Sequence, residues 1–197
     1  MNIVLTKTYD APPVSKKAIF RYASCPRDEQ DVAALIDSCM EEGAPSLSYK
    51  VCYTVAELSV SGDVCRIGEL SFKSKSLAKN LGGCERAVIF GATLGVGIDR
   101  LISKYGQISP SRALIFQAFG AERIEALCDA FCADVADGAK TRPRFSPGYG
   151  DLALETQRDI FALLNCQKNI GLFLLDSYLM SPSKSVTAIM GIEKKEL

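Results

Sequence analysis

The sequence predicts an α+β protein: a bent, mainly antiparallel sheet with helices packed on it. Three observations lead there. The stretches 49–72 and 170–192 carry strand patterning interrupted by turn residues. A long segment opening at Ser109-Pro110 repeats apolar residues at helical spacing to about Ala136. A short apolar run, Ala87 to Ala92, has the length of a buried strand. We expect one domain over residues 1–197, its first part to about residue 45 helical.

In chain order, Met1 to Leu5 reads as a short edge strand, and Ala11-Pro-Pro-Val14 breaks it, since proline gives no N–H to a ladder. Ser15 to Ala23 and Asp28 to Glu42 read as helices, the second with Val32, Leu35, Ile36, Cys39 and Met40 on one stripe and Gly43 as its stop. Tyr49 to Val60 alternates Tyr49, Val51, Tyr53 and Val55. With Val64 to Phe72 it predicts a hairpin turning at Ser61-Gly62-Asp63, one face packed and the other wet. Ser76 is placed as the cap of a short helix, Leu77 to Leu81, stopped by Gly82-Gly83.

After the strand at 87–92, the glycines of Gly91-x-x-x-Gly95-x-Gly97 lead into a helix from Ile98 to about Tyr105. Their spacing is not the Gly-x-Gly-x-x-Gly of dinucleotide binding, so they read as places where backbones approach closely. Ser109 and Pro110 then give an N-cap and a first helical position, and Ala113, Leu114, Phe116, Ala118, Ile124, Leu127, Cys128 and Phe131 make the stripe of the main helix. Asp151 to Leu164 predicts another helix. Ile170 to Tyr178 and Ser185 to Ile192 predict two antiparallel strands joined through Ser181-Pro182-Ser183-Lys184, and Glu193 to Leu197 a solvated tail.

Composition excludes several functions. Lys plus Arg equals Asp plus Glu at 23 each, so the cationic field that draws nucleic acid is missing. The longest apolar run, Ala87 to Ile98, is too short to cross a bilayer, and the N-terminus shows no secretion signal. A cytoplasmic protein with neither nucleic acid nor membrane as partner is expected. There are no histidines, which removes Ser/His/Asp and Cys/His catalysis and every histidine metal site. None of the eight cysteines forms Cys-x-x-Cys. Cys128-x-x-x-Cys132 begins like an iron–sulfur motif, but the third thiol would fall at Val135. Two small core residues on one helix face is the better reading, and no metal is expected.

Arg142-Pro-Arg-Phe-Ser-Pro-Gly-Tyr-Gly150 is the stretch of greatest interest. Pro143 and Pro147 stiffen it, Gly148 permits a turn, and Arg144 and Tyr149 are offered from a rigid loop. By composition alone the better reading is an ordinary connection between a helix and the next element. Arg144-Phe-Ser-Pro147-Gly148-Tyr149 resembles the Arg-x-x-x-Gly-Tyr signature of the activation domain of cobalamin-dependent methionine synthase. Asp176-Ser-Tyr-Leu-Met-Ser-Pro-Ser-Lys-Ser-Val186 is similar to a second motif of that family, and the likeness runs over about residues 76–192.

The resemblance implies S-adenosylmethionine as cofactor. Arg144 would meet its carboxylate, the Pro147-Gly148 step would bring backbone to the adenosyl part, and Tyr149 would offer a ring and a hydroxyl. Glu125 or Asp176 would offset the positive centres; Glu125 reads equally as a surface glutamate. Tyr178, Met180 and Pro182 would lie on the docking surface for a partner. Cobalamin would be carried only by that partner, a separate methionine synthase or related corrinoid protein, with an electron-donor protein also possible. The chain would be the methyl-donor-binding component in the reductive methylation of cob(II)alamin. The alternatives are a non-catalytic module docking on a corrinoid protein, or an activator of another corrinoid methyltransferase. The chain departs from the family after Tyr149, where Gly150-Asp-Leu-Ala replaces Pro-Ala-Cys-Pro.

Overall fold

The computed structural model describes residues 3–25 and 30–193. In chain order these form β1 (Leu5–Tyr9), α1 (Lys16–Ala23), α2 (Gln30–Gly43), β2 (Tyr49–Ser61), β3 (Val64–Ile67) and β4 (Leu70–Lys73). Then come α3 (Lys75–Leu81), β5 (Cys84–Thr93), α4 (Gly97–Ile108) and α5 (Pro110–Ala136). The last are α6 (Gln157–Leu164), α7 (Cys166–Ile170), β6 (Phe173–Leu174), β7 (Met180–Ser181) and β8 (Ser185–Glu193). The main sheet runs β4-β3-β2-β5-β8, with β1 added to the first half of β2 and every pairing antiparallel. The α+β fold is as expected.

Strand β5 is the axis of the molecule. Ala87 to Thr93 are buried without a break, which a strand shows only when both faces of its sheet are covered. Val88, Phe90 and Ala92 face Ile124, Leu127 and Phe131 of α5, while Ile89 joins Leu77, Ile160, Cys166 and Ile170 on the other side. The expected wet face is therefore overturned: α3, α6 and α7 cover it, and Cys52, Thr54 and Ala56 of β2 are buried together with Tyr49 and Val51. A third cluster fills the space between α1, α2, α4 and α5.

Other expectations shift for local reasons. The first strand lies at 5–9 rather than 1–5, and Met1, Asn2, the start of the second expected helix at Asp28 and the tail beyond Glu193 fall outside the described residues. The strand expected over 64–72 turns back at Gly68, whose φ of 57° suits a glycine, so β3 and β4 form a second hairpin. Ser74, not Ser76, caps α3, accepting from Leu77 N–H at 3.0 Å. Asp151 is not helical; a 3-10 turn at Leu154–Thr156 precedes α6.

Ile170 to Tyr178 is not a strand of the main sheet. Ile170 ends α7, packed with Cys166 under β2 and β5, and the chain then makes only the β6–β7 ribbon while β8 pairs with β5. Among the described residues no helix is long and apolar enough to cross a membrane.

The glycines before α4 are the close approaches read from sequence. A Cβ on Gly97 would stand 2.1 Å from the carbonyl oxygen of Ser46, whereas one on Gly106 would meet nothing within 4 Å. Gly97→Ala should lower unfolding free energy by about 1–3 kcal/mol, the usual cost of overpacking. Gly106→Ala should raise it by about 0.5–1 kcal/mol, because helical alanine restricts the unfolded chain. Urea denaturation of the two variants checks both signs.

Candidate functional site

The segment 141–145 runs antiparallel along β8 as an irregular extra strand. Arg142 N–H donates to Gly191 O at 2.9 Å, and Phe145 and Ile189 exchange both backbone bonds at 2.8 Å. Extended residues alternate sides. Phe145 accordingly packs with the α3–α6 cluster, and Arg144 turns the other way, toward α5. There its Nη2 donates to Glu125 Oε2 at 2.8 Å and its Nη1 to Asp129 Oδ1 at 2.5 Å. Burial alone would depress the guanidinium's pKa, but the bond to Asp129 and the surrounding negative charge outweigh it and hold the group firmly protonated. Burial pushes the neighbouring Cys128 and Cys132 thiols upward, so neither is an activated nucleophile at neutral pH.

Two clefts meet at this cluster. One, of about 420 Å³, has Pro12, Pro13 and Tyr22 on one wall and Glu122, Glu125 and Asp129 on the other. The second, of about 470 Å³, is lined by Asp129, Cys132, Arg142, Pro143, Arg144 and Met190. Asp129 belongs to both.

The wall at Pro12–Pro13 is held by a buried pair. Arg123, 1% exposed, donates from Nη1 to Pro12 O, from Nη2 to Pro13 O, and from both Nε and Nη2 to Glu122; Glu122 Oε1 also accepts from Ser15 N–H at 2.9 Å. The pair ties the start of α1 to the middle of α5.

The turn of the signature loop is fixed separately. Pro147 is buried, Gly148 has φ 86° and donates to Leu152 O at 2.9 Å, and Gly150 has φ 53° with Ser76 Oγ where a Cβ would go. Asp151 then accepts from Ser74 Oγ and from the N–H groups of Lys75 and Ser76, which caps α3 from a distant part of the chain. These bonds, Ser74 Oγ first, hold the Asp151 carboxyl far below the usual range.

Of the residues singled out from sequence, the fold brings Arg144 and Glu125 together across 19 positions. Tyr149 is not beside them. It is 68% exposed, its ring meeting Phe145 edge-on at 6.3 Å between centroids, and it lines neither cleft. Asp176 is also elsewhere, at the exposed tip of the β6–β7 ribbon, which packs on the α6 side through Met180. The strand that would have carried Asp176 into the sheet does not form. Tyr178 lies under Arg158, whose guanidinium carbon is 4.7 Å from the ring centre; Leu179 is 65% exposed, and Pro182 is buried. Glu122, Arg123, Asp129 and Asp151 were not singled out. The spacing of Glu122, Glu125 and Asp129 places all three on one face of a helix, and that was the signal available for them.

No family model matches the chain, and no curated protein matches it. Among solved structures it is similar to one described as the MetH reactivation domain bound to AdoHcy, with a TM-score of 0.76 and 14% identity. The match covers 98% of this chain and 79% of that one. The chain has the reactivation-domain fold. That likeness is of the whole path of the chain, N-terminal part included, which the motifs alone did not reach.

Two outcomes check the site's supports. Arg123→Ala leaves Glu122 buried without its cation and should cost about 3–5 kcal/mol in urea denaturation. Asp151 has a depressed folded-state pKa, so its contribution to stability is present above the ordinary aspartate value of about 3.9 and fades as pH falls below it. Asp151→Asn should therefore melt below wild type at pH 7, and the gap should narrow on acidification.

Proposed function

We propose that the chain binds S-adenosylmethionine at the Arg144 cluster and supports reductive methylation of cob(II)alamin on a separate cobalamin-dependent methionine synthase. The observation that carries this reading is the pairing of Arg144 with Glu125 in a reactivation-domain fold, beside two clefts large enough to admit a nucleoside. The residues fit the ligand's amino-acid end. A guanidinium suits a carboxylate because its forked N–H groups meet both oxygens, and adjoining carboxylates suit an ammonium and a sulfonium. Bound S-adenosylmethionine would supply the electrophilic methyl group.

The chain's own work is binding, orientation and exclusion of water, which needs no histidine. Pro147, Gly148 and Tyr149 line neither cleft, with the Tyr149 ring on Phe145, so for them to meet the adenosyl part the loop backbone itself would have to move toward the Arg144 cluster. The β6–β7 ribbon, with Phe173, Leu175 and Leu179 exposed beside Tyr178 and Met180, would be the surface offered to the corrinoid partner. Buried Pro182 would shape that turn without touching the partner.

A second reading, a docking module that donates no methyl group, draws on the fact that both terminal nitrogens of Arg144 already have partners and that Tyr149 stands apart. Calorimetric titration separates the two. S-adenosylmethionine should bind wild type, and Arg144→Ala should weaken binding by about 1.5–3 kcal/mol, the usual loss for a charged hydrogen bond. Equal affinity in the variant removes Arg144 from the site, and no binding by wild type leaves only the docking module. Methyl transfer to a reduced cobalamin protein then tests the reaction.

A further inference from the structure

Asp129 is the least expected member of the cluster, because it occupies the place a ligand's carboxylate would take. Its Oδ1 accepts from Arg144 Nη1, and its side chain is 74% exposed, against 47% for Glu125 and 23% for Arg144. Exposed ion pairs are weak, so this bond is the easier of the two to break. Asp129 also forms part of both clefts, and rotating it off Arg144 would free the guanidinium's Nη1 beside the second, which Arg144 lines. It sits one helical turn beyond Glu125 on α5, so the displaced carboxylate stays next to whatever replaces it.

We propose that Asp129 is a specificity-determining residue that exchanges partners on binding: it leaves Arg144 to the ligand's α-carboxylate and takes the ligand's α-ammonium. This rests on the Arg144 cluster being the ligand site. In an α-amino acid the carboxylate and ammonium are joined through a single carbon, so a group displaced from the first lies within reach of the second after one side-chain rotation. A ligand with the carboxylate but without the ammonium must break the Arg144–Asp129 pair and strands Asp129 with no new cation. A zwitterionic ligand breaks the same pair and forms two. Asp129 thus acts as competitor toward plain carboxylates and as partner toward amino acids. No bond is made or cut in the exchange.

The test compares S-adenosylhomocysteine with its analogue lacking the α-amino group, titrated calorimetrically into wild type, Asp129→Ala and Asp129→Glu. S-adenosylhomocysteine serves because it carries the same amino-acid end without a reactive methyl. Wild type should prefer S-adenosylhomocysteine at least about tenfold, the scale of one charge-assisted hydrogen bond. In Asp129→Ala the analogue should bind tighter than it does to wild type, and the preference should fall to within about threefold. Asp129→Glu should restore part of it. Substitutions at exposed positions change stability little, and circular dichroism of each variant checks that it folds. If Asp129→Ala keeps the wild-type preference, or if the analogue does not tighten, the exchange is overturned while the site stands. If neither ligand binds wild type, the ligand reading itself is overturned, and the exchange with it.

Discussion

The two backbone bonds between Phe145 and Ile189 decide what the molecule can present. They lay the segment 141–145 along the free edge of β8, and an edge covered in this way no longer invites pairing with another chain. They also set the parity of the segment. With Phe145 committed to the core above α6, Arg144 has no choice but the α5 side. A slip of one residue would bury the guanidinium among Leu, Ile and Cys side chains, at a cost no available partner there could offset. The charged cluster is thus a consequence of strand register, and the register is a consequence of one phenylalanine.

Around that edge the chain uses charge as mortar in two different ways. Arg123 and Glu122 are fully inside, and their pairing is complete: the guanidinium reaches two proline carbonyls as well as the carboxylate, so the desolvation of both ions is met by several bonds. Pro12 and Pro13 contribute no N–H, and their carbonyls serve as acceptors for the arginine instead. Arg144 with Glu125 and Asp129 is the opposite case. One cation faces two carboxylates, half in water, with clefts on either side. The first pair fixes a wall; the second leaves something to exchange.

The sequence made most of the framework legible because its strongest signals were local. Ser109-Pro110 marked the start of α5 to the residue, although the Ser109 hydroxyl does not itself cap the helix. The apolar run at 87–92 marked the central strand. What it hid depended on contacts between distant residues. The wet face expected for β2 was the one opposite Tyr49, Val51, Tyr53 and Val55, yet Thr54 on that face is buried because α6 and α7, a hundred residues later, come to lie on that side. The stretch 170–178 is apolar enough for a strand, but Cys166 and Ile170 are drawn as a helical plug against Gly91, whose missing side chain leaves room for the Cys166 sulfur. The site divided in the same way. Arg144 and Glu125 were legible from the motif and the helix, whereas Asp129 and Asp151 needed the fold to show what they touch.

With no histidine in the chain and with burial raising the two thiols beside Arg144, what the cluster offers a ligand is charge. The Arg144, Glu125 and Asp129 side chains sum to one net negative charge. The proposed methyl donor carries a net positive charge through its sulfonium, while the product left after methyl transfer is neutral. A cluster of this sign would, on the proposed function, favour the donor over the product, with no group having to move a proton. The preference is bounded by solvent: Asp129 is largely exposed, and at physiological salt exposed charges are screened beyond about 8 Å. A sulfonium held close to Glu125, inside the Pro12–Pro13 wall, would feel the cluster at much shorter range. The buried Arg123–Glu122 pair, by holding that wall against α5, would then be what lets a weak surface charge select the proposed donor.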